Sequence, residues 1–217
     1  ISVAQTAAAV DPKEAKVSAA TQPQKVQVLV CTDLEGRLDC LDVVLQDFAK
    51  KGIRVDFVLA AGDTFPRIKE DVEVFQSFCG DPPPQKLSVP VYFIDSRHAH
   101  LIEKASKRPA QQQVVFAEHG GKHMLNFLGA CGVVELSGII IAFLSGRYDK
   151  DKFNEVWKAG RFLGCHYTGN AVDEILRQHE LCGKERQYVD MLLTSEWMDK
   201  YWSTATKSEA STPVSAE

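Results

Sequence analysis

Apolar residues recur along this chain in two rhythms. Short β-branched runs alternate with stretches where apolar side chains return every three or four positions, which predicts strands separated by helices. Residues 26–30 (VQVLV) form a near-continuous apolar run, as expected of a strand buried on both faces. Leu38, Leu41, Val44, Leu45 and Phe48 follow at helical spacing, and Gly52 supplies the stop. Residues 55–60 predict a second buried strand, 71–78 a helix, 81–84 a stiff proline loop, 89–94 a third strand and 101–107 a short helix. The texture then changes. Apolar runs at 114–116, 124–128, 133–136 and 139–144 are separated by glycine turns, which predicts an antiparallel meander. A helix over 172–179 and a last buried strand over 189–193 complete the series. Helices between buried strands imply an α/β fold with a sheet flanked by helices.

The flanks differ from this body. Residues 1–24 are rich in Ala, Val, Gln, Ser and Thr, and residues 204–217 are small and polar. They read as a flexible arm and a disordered tail around one domain at 25–203. The first residue is Ile1 rather than Met, so a processed form or a fragment is expected. No apolar run reaches ~18 residues, and no transmembrane span is expected.

In open α/β sheets, ligands collect outside the carboxyl ends of the strands. Four polar loops fall there: 32–37, 62–65, 95–100 and 194–197. They hold Asp33 and Glu35, then Asp63, then Arg97 and His98, then Ser195. Asp33 and Asp63 also suit a plain capping role, since aspartate is a good N-cap. His98 and His100 read as a solvated pair, and "HGGKH" (119–123) as a polar turn. Cys31, in an apolar strand, reads as a buried thiol.

Composition narrows the field. The chain carries 25 basic and 29 acidic residues, a net charge of −4, so no strongly basic nucleic-acid surface is announced. Lys104, Lys107 and Arg108 make a small basic cluster that reads as a solvated helix face. Trp157, Trp197 and Trp202 suit either core or interface. The cysteines at 31, 40, 79, 131, 165 and 182 include no CxxC pair. Reduced thiols in an intracellular protein fit better than a disulfide or zinc-ribbon framework.

The order and spacing of "DLEG", "GDTF", "SRH" and "LLTSEW" resemble the metal-binding loops of calcineurin-type metallophosphoesterases. The similarity is narrowest to the CwfJ-like, spliceosome-associated branch, kin of the RNA lariat debranching enzyme, and runs from about Val26 to Trp202, including "LSG" at 144–146. The resemblance implies a β-sandwich of mixed sheets flanked by helices. It also implies a crevice in which active members hold two divalent metals that activate water on a phosphodiester. Matched to those motifs, Asp33 and Asp63 stand at the aspartate ligands. Glu35 stands where active members carry histidine, Arg97 replaces an asparagine ligand, and His98 matches a histidine that assists the leaving group. Ser195 replaces a further histidine ligand, and the later Gly-His-x-His element has no counterpart.

These departures favour a degenerate site with no cofactor. A guanidinium cannot deprotonate and only donates. Beside a cation it is repulsive, by about 4 kcal/mol for a monovalent pair at ~4 Å and an effective dielectric of ~20. Arg97 is therefore expected to pair with Asp33, Glu35 or Asp63, turning a metal site into a salt-bridge network. The alternative is one divalent metal (Mn, Fe or Zn) on Asp33, Glu35 and Asp63, with His98 as general acid in an active phosphodiesterase. A binding or scaffold role among other proteins follows from the first reading. By resemblance the setting is RNA processing in the nucleus, with RNA contacted indirectly. A structural subunit of an organellar, for instance mitochondrial, complex is the other setting, motivated by the amino-terminal arm. Family members usually carry further histidine-rich carboxy-terminal domains.

Overall fold

A computed structural model describes residues 25–99, 102, 113–155, 162–163, 165–181 and 188–196. The arm at 1–24, the expected helix at 101–107 apart from Ile102, its basic cluster, His100, Cys182, the three tryptophans and the tail lie outside the described residues. No helix among the described residues is long and apolar enough to cross a membrane.

The elements run β1 (Val28–Thr32), α1 (Leu38–Lys50), β2 (Phe57–Ala61), α2 (Lys69–Ser77), β3 (Val91–Phe93), β4 (Val114–His119), β5 (Lys122–Phe127), β6 (Cys131–Leu136), β7 (Ile139–Leu144), α3 (Lys150–Phe153), β8 (Phe162–Leu163), β9 (His166–Tyr167), α4 (Gly169–Leu181) and β10 (Met191–Thr194). They build mixed sheets flanked by helices. One sheet has the order β1-β2-β3-β5-β4, a second β10-β7-β6, and β8 and β9 form a short pair. In the first, β1, β2, β3 and β5 are parallel and β4 is antiparallel. In the second, β10 is parallel to β7 and β6 antiparallel.

The alternation of side chains along β2 explains the layering. Val58 and Ala60 join a cluster with Leu38, Leu41 and Leu45 of α1 and Phe75 of α2. Phe57, Leu59 and Ala61 join Ile141, Phe143 and Leu193 of the second sheet. The two sheets therefore share an apolar layer, and the helices cover the other face of the first. β2 is buried throughout, as a central parallel strand with neighbours on both faces must be.

Three expectations change. Residues 26–30 were expected to be buried on both faces, but β1 is an edge strand and Val30 is 51% exposed. The last strand is likewise an edge, with Leu192 at 63%. An apolar run records packing on a face, and does not distinguish the edge of a sheet from its middle. The anticipated meander is two hairpins in different sheets, because β5 pairs with β4 and β3 while β6 pairs with β7. Their turns are two-residue loops. Gly120 and Gly121, then Ser137 and Gly138, all have φ between 52° and 86°, which is the left-handed geometry such hairpins require. "HGGKH" is thus a hairpin turn with both histidines exposed.

Candidate functional site

The carboxyl ends of β1, β2, β3, β7 and β10 deliver five loops to one crevice. Loop one is bound to loop two along the backbone. Asp33 N donates to Ala61 O at 3.0 Å, Glu35 N to Asp63 O at 2.9 Å and Gly36 N to Thr64 O at 2.9 Å. Loop two reaches loop three through Ser96 N to Gly62 O at 3.0 Å, and loop three reaches the β7 loop through Gly146 N to Asp95 O at 2.9 Å.

Asp33 does cap, but it caps its neighbour: its Oδ1 accepts the backbone N–H of Asp63 at 3.0 Å. The helix α1 has Arg37 at its N-cap position, with no side-chain cap hydrogen bond. Asp33 sits at φ 51° and Glu35 at φ 47°, a region most side chains avoid. Loop two faces Asp33 with Gly62, at φ +75°, where a Cβ would collide with the Asp33 carboxylate. Only glycine satisfies both constraints.

Asp63 is the centre of the crevice, 1% exposed. Ser96 Oγ donates to its Oδ1. Its Oδ2 accepts from Arg67 Nη2 at 2.6 Å. Arg97 Nε lies 2.6 Å from the same oxygen, as a charge contact without hydrogen-bond alignment. Arg147 Nη2 stands at 3.7 Å. Arg67 also reaches Glu35 at 2.9 Å. Burial by itself pushes the Asp63 carboxyl up. Hydrogen bonds from Ser96 and Arg67, with the charges of Arg97 and Arg67, outweigh it, so Asp63 stays below the ordinary carboxylate range.

The expected pairing of Arg97 thus falls on Asp63. Two guanidiniums were not anticipated: Arg67, four residues beyond Asp63 in "GDTFPR", and Arg147, just after "LSG". An arginine beside a strand-end aspartate was the available signal.

Asp95 opens the third of these loops, and its side chain carries no motif that marks it in the sequence. It is fully buried. One oxygen accepts from Thr64 N at 3.0 Å and Phe65 N at 3.2 Å. The other accepts from Arg97 N at 2.8 Å and His98 N at 2.5 Å. Four backbone donors on one carboxylate fix loops two and three to each other. His98 Nδ1 lies 3.3 Å from that carboxylate, and its ring meets the edge of Phe65 at 5.8 Å.

A cavity of about 200 Å³ opens beside Asp63, lined among others by Asp33, Arg67, Arg147, Ser195 and Glu196. Ser195 Oγ is buried there without a hydrogen-bond partner among the described residues. Glu196 accepts from Tyr148 N at 2.6 Å. The structure therefore gathers Asp33, Glu35, Asp63, Arg97 and Ser195, with His98 adjoining through Asp95. Two guanidiniums thus contact the Asp63 carboxylate at 2.6 Å and a third stands at 3.7 Å. Among the described residues no group of three or more His, Cys, Asp or Glu is arranged to hold a metal.

No protein-family model matches the chain. A curated relative, zinc finger CCCH domain-containing protein 64 of Arabidopsis thaliana, is 25% identical over 174 residues. The match covers 79% of this chain and 26% of that protein. The chain thus spans about a quarter of the curated relative's length.

Proposed function

We propose that this chain is a catalytically degenerate, metallophosphoesterase-like module whose work is binding: it serves as a scaffold part of a multi-protein assembly. The observation that carries this is the Asp63 centre. Arg67 and Arg97 contact its carboxylate at 2.6 Å and Arg147 stands at 3.7 Å, so fixed guanidinium charge takes the place a divalent cation would need. Two mixed sheets sharing an apolar layer, with the loops gathered at strand ends, are compatible with the sandwich of that superfamily. The relative from Arabidopsis supports a modular role, since the matched segment is 26% of a protein named for zinc-finger domains. By the CwfJ-like resemblance the assembly belongs to RNA processing in the nucleus, with protein partners and only indirect RNA contact. An organellar complex is the other setting.

The test is the company the protein keeps. Tagged chain is crosslinked in cells, and its neighbours are identified by mass spectrometry. Recovery of splicing or debranching factors supports the nuclear setting, and organellar subunits the other. A protein that emerges alone and turns over bis(p-nitrophenyl) phosphate with added Mn²⁺ overturns the scaffold reading.

A further inference from the structure

We infer that the crevice beside Asp63 receives one lysine ammonium from a partner protein; this rests on the binding role proposed above. The cavity lining carries three carboxylates, Asp33, Asp63 and Glu196, against two guanidiniums, Arg67 and Arg147. Glu35 and Arg97, in contact with Arg67 and Asp63, add one charge of each sign. One negative charge is left over, and a single monovalent cation brings the crevice to neutrality. A divalent ion would overshoot it and face Arg67 and Arg147 at close range.

The unused acceptors decide which cation. Asp33 spends Oδ1 on Asp63 N, and Glu196 spends Oε2 on Tyr148 N. Among the described residues no hydrogen bond or ion pair uses their second oxygens, and both residues are exposed. Ser195 Oγ is buried in the same cavity and has no partner among the described residues. A buried hydroxyl is normally satisfied, so a ligand that reaches past the two carboxylates to Ser195 completes the site. The acceptors are three, on two separate loops. An ammonium carries three rotatable N–H donors, whereas a guanidinium wants its acceptors paired in one plane. The cavity, at about 200 Å³, is more than one bare ion fills. It admits an ammonium with the end of its methylene stem.

The experiment follows backbone amide signals of the isotope-labelled full chain by NMR. Three probes are titrated separately at matched ionic strength: a capped glycine–lysine–glycine peptide, the same peptide acetylated at Nε, and potassium chloride. The lysine peptide is expected to move the amides of Asp33, Ser195 and Glu196, and the other two probes to leave them in place. Glu196→Gln and Asp33→Asn keep the shape of each acceptor and remove its charge. Each should weaken the peptide by roughly tenfold or more, with an unchanged melting curve certifying the fold. No movement with the lysine peptide, equal movement with its acetylated form, or equal affinity in both variants overturns the inference. The same shifts with potassium assign the crevice to a free ion and overturn it too. All of these leave the scaffold reading standing. Mn²⁺-dependent phosphodiester turnover by the same sample removes that underlying reading instead.

Discussion

Replacing Asp63 by Asn probes the centre of the crevice with the smallest change in shape. The amide still accepts from Ser96, but the negative charge facing Arg67, Arg97 and Arg147 is gone. Removing one partner of a fully buried pair costs about 3–5 kcal/mol, because a charge is left uncompensated. Here the orphaned guanidiniums are about two-fifths exposed, so water recovers part of that and the expected loss is about 2–3 kcal/mol. For a chain of this size that lowers Tm by about 4–12 °C. The pH dependence has a defined sign. The folded-state pKa of Asp63 lies below its unfolded value, which is ~3.9. Its stabilisation is complete above that unfolded value and is lost as pH falls through the folded one. Urea unfolding of wild type and Asp63→Asn at pH 7 should differ by the stated amount, and the gap should close as pH drops from about 5 towards 3. A difference below ~0.5 kcal/mol at pH 7, or a gap indifferent to acid, would refute the charge-centre reasoning.

Gly62→Ala forces a Cβ onto the Asp33 carboxylate at a positive φ, and should cost about 2–3 kcal/mol by urea denaturation. Stability equal to wild type would mean that loops one and two are not locked together. Phe93→Ala empties the middle of a ring cluster, with Phe65, Phe116 and Phe127 centred 5.4, 5.9 and 5.6 Å away. It should cost about 3–5 kcal/mol, and a loss under ~1 kcal/mol would contradict that packing. Burial pushes the Cys31 and Cys79 thiols up to about 11, so at pH 8 roughly one in a thousand of each is thiolate. Iodoacetamide mapping at that pH should modify the exposed Cys40 well before either. Labelling of Cys31 at the same rate would contradict its partial burial.

The elements were legible where one physical cause wrote the pattern. Leu38, Leu41 and Leu45 are buried at the predicted helical spacing, and Gly52 ends that helix at φ 72°. The four strand-end loops meet at one crevice, because the parallel strands β1, β2 and β3, and β10 beside β7, put their carboxyl ends on the same side. Sheet membership was not legible. The segments β5 and β6 are neighbours in sequence, yet they join different sheets, a choice made by long-range pairing. Arg67 and Arg147 escaped for a related reason. An exposed arginine usually means a solvated surface, and only the folded chain brings 67, 97 and 147 to one carboxylate. Asp95 escaped because its partners are backbone N–H groups, which no side-chain motif announces.

Anomalous diffraction from crystals of the full chain grown with Mn²⁺ tests most directly whether guanidinium charge has replaced metal at this crevice. The expected map shows no anomalous peak at Asp63, with arginine density against its carboxylate. Two bridged ions between Asp33 and Asp63, with Arg67 and Arg97 displaced, would contradict it.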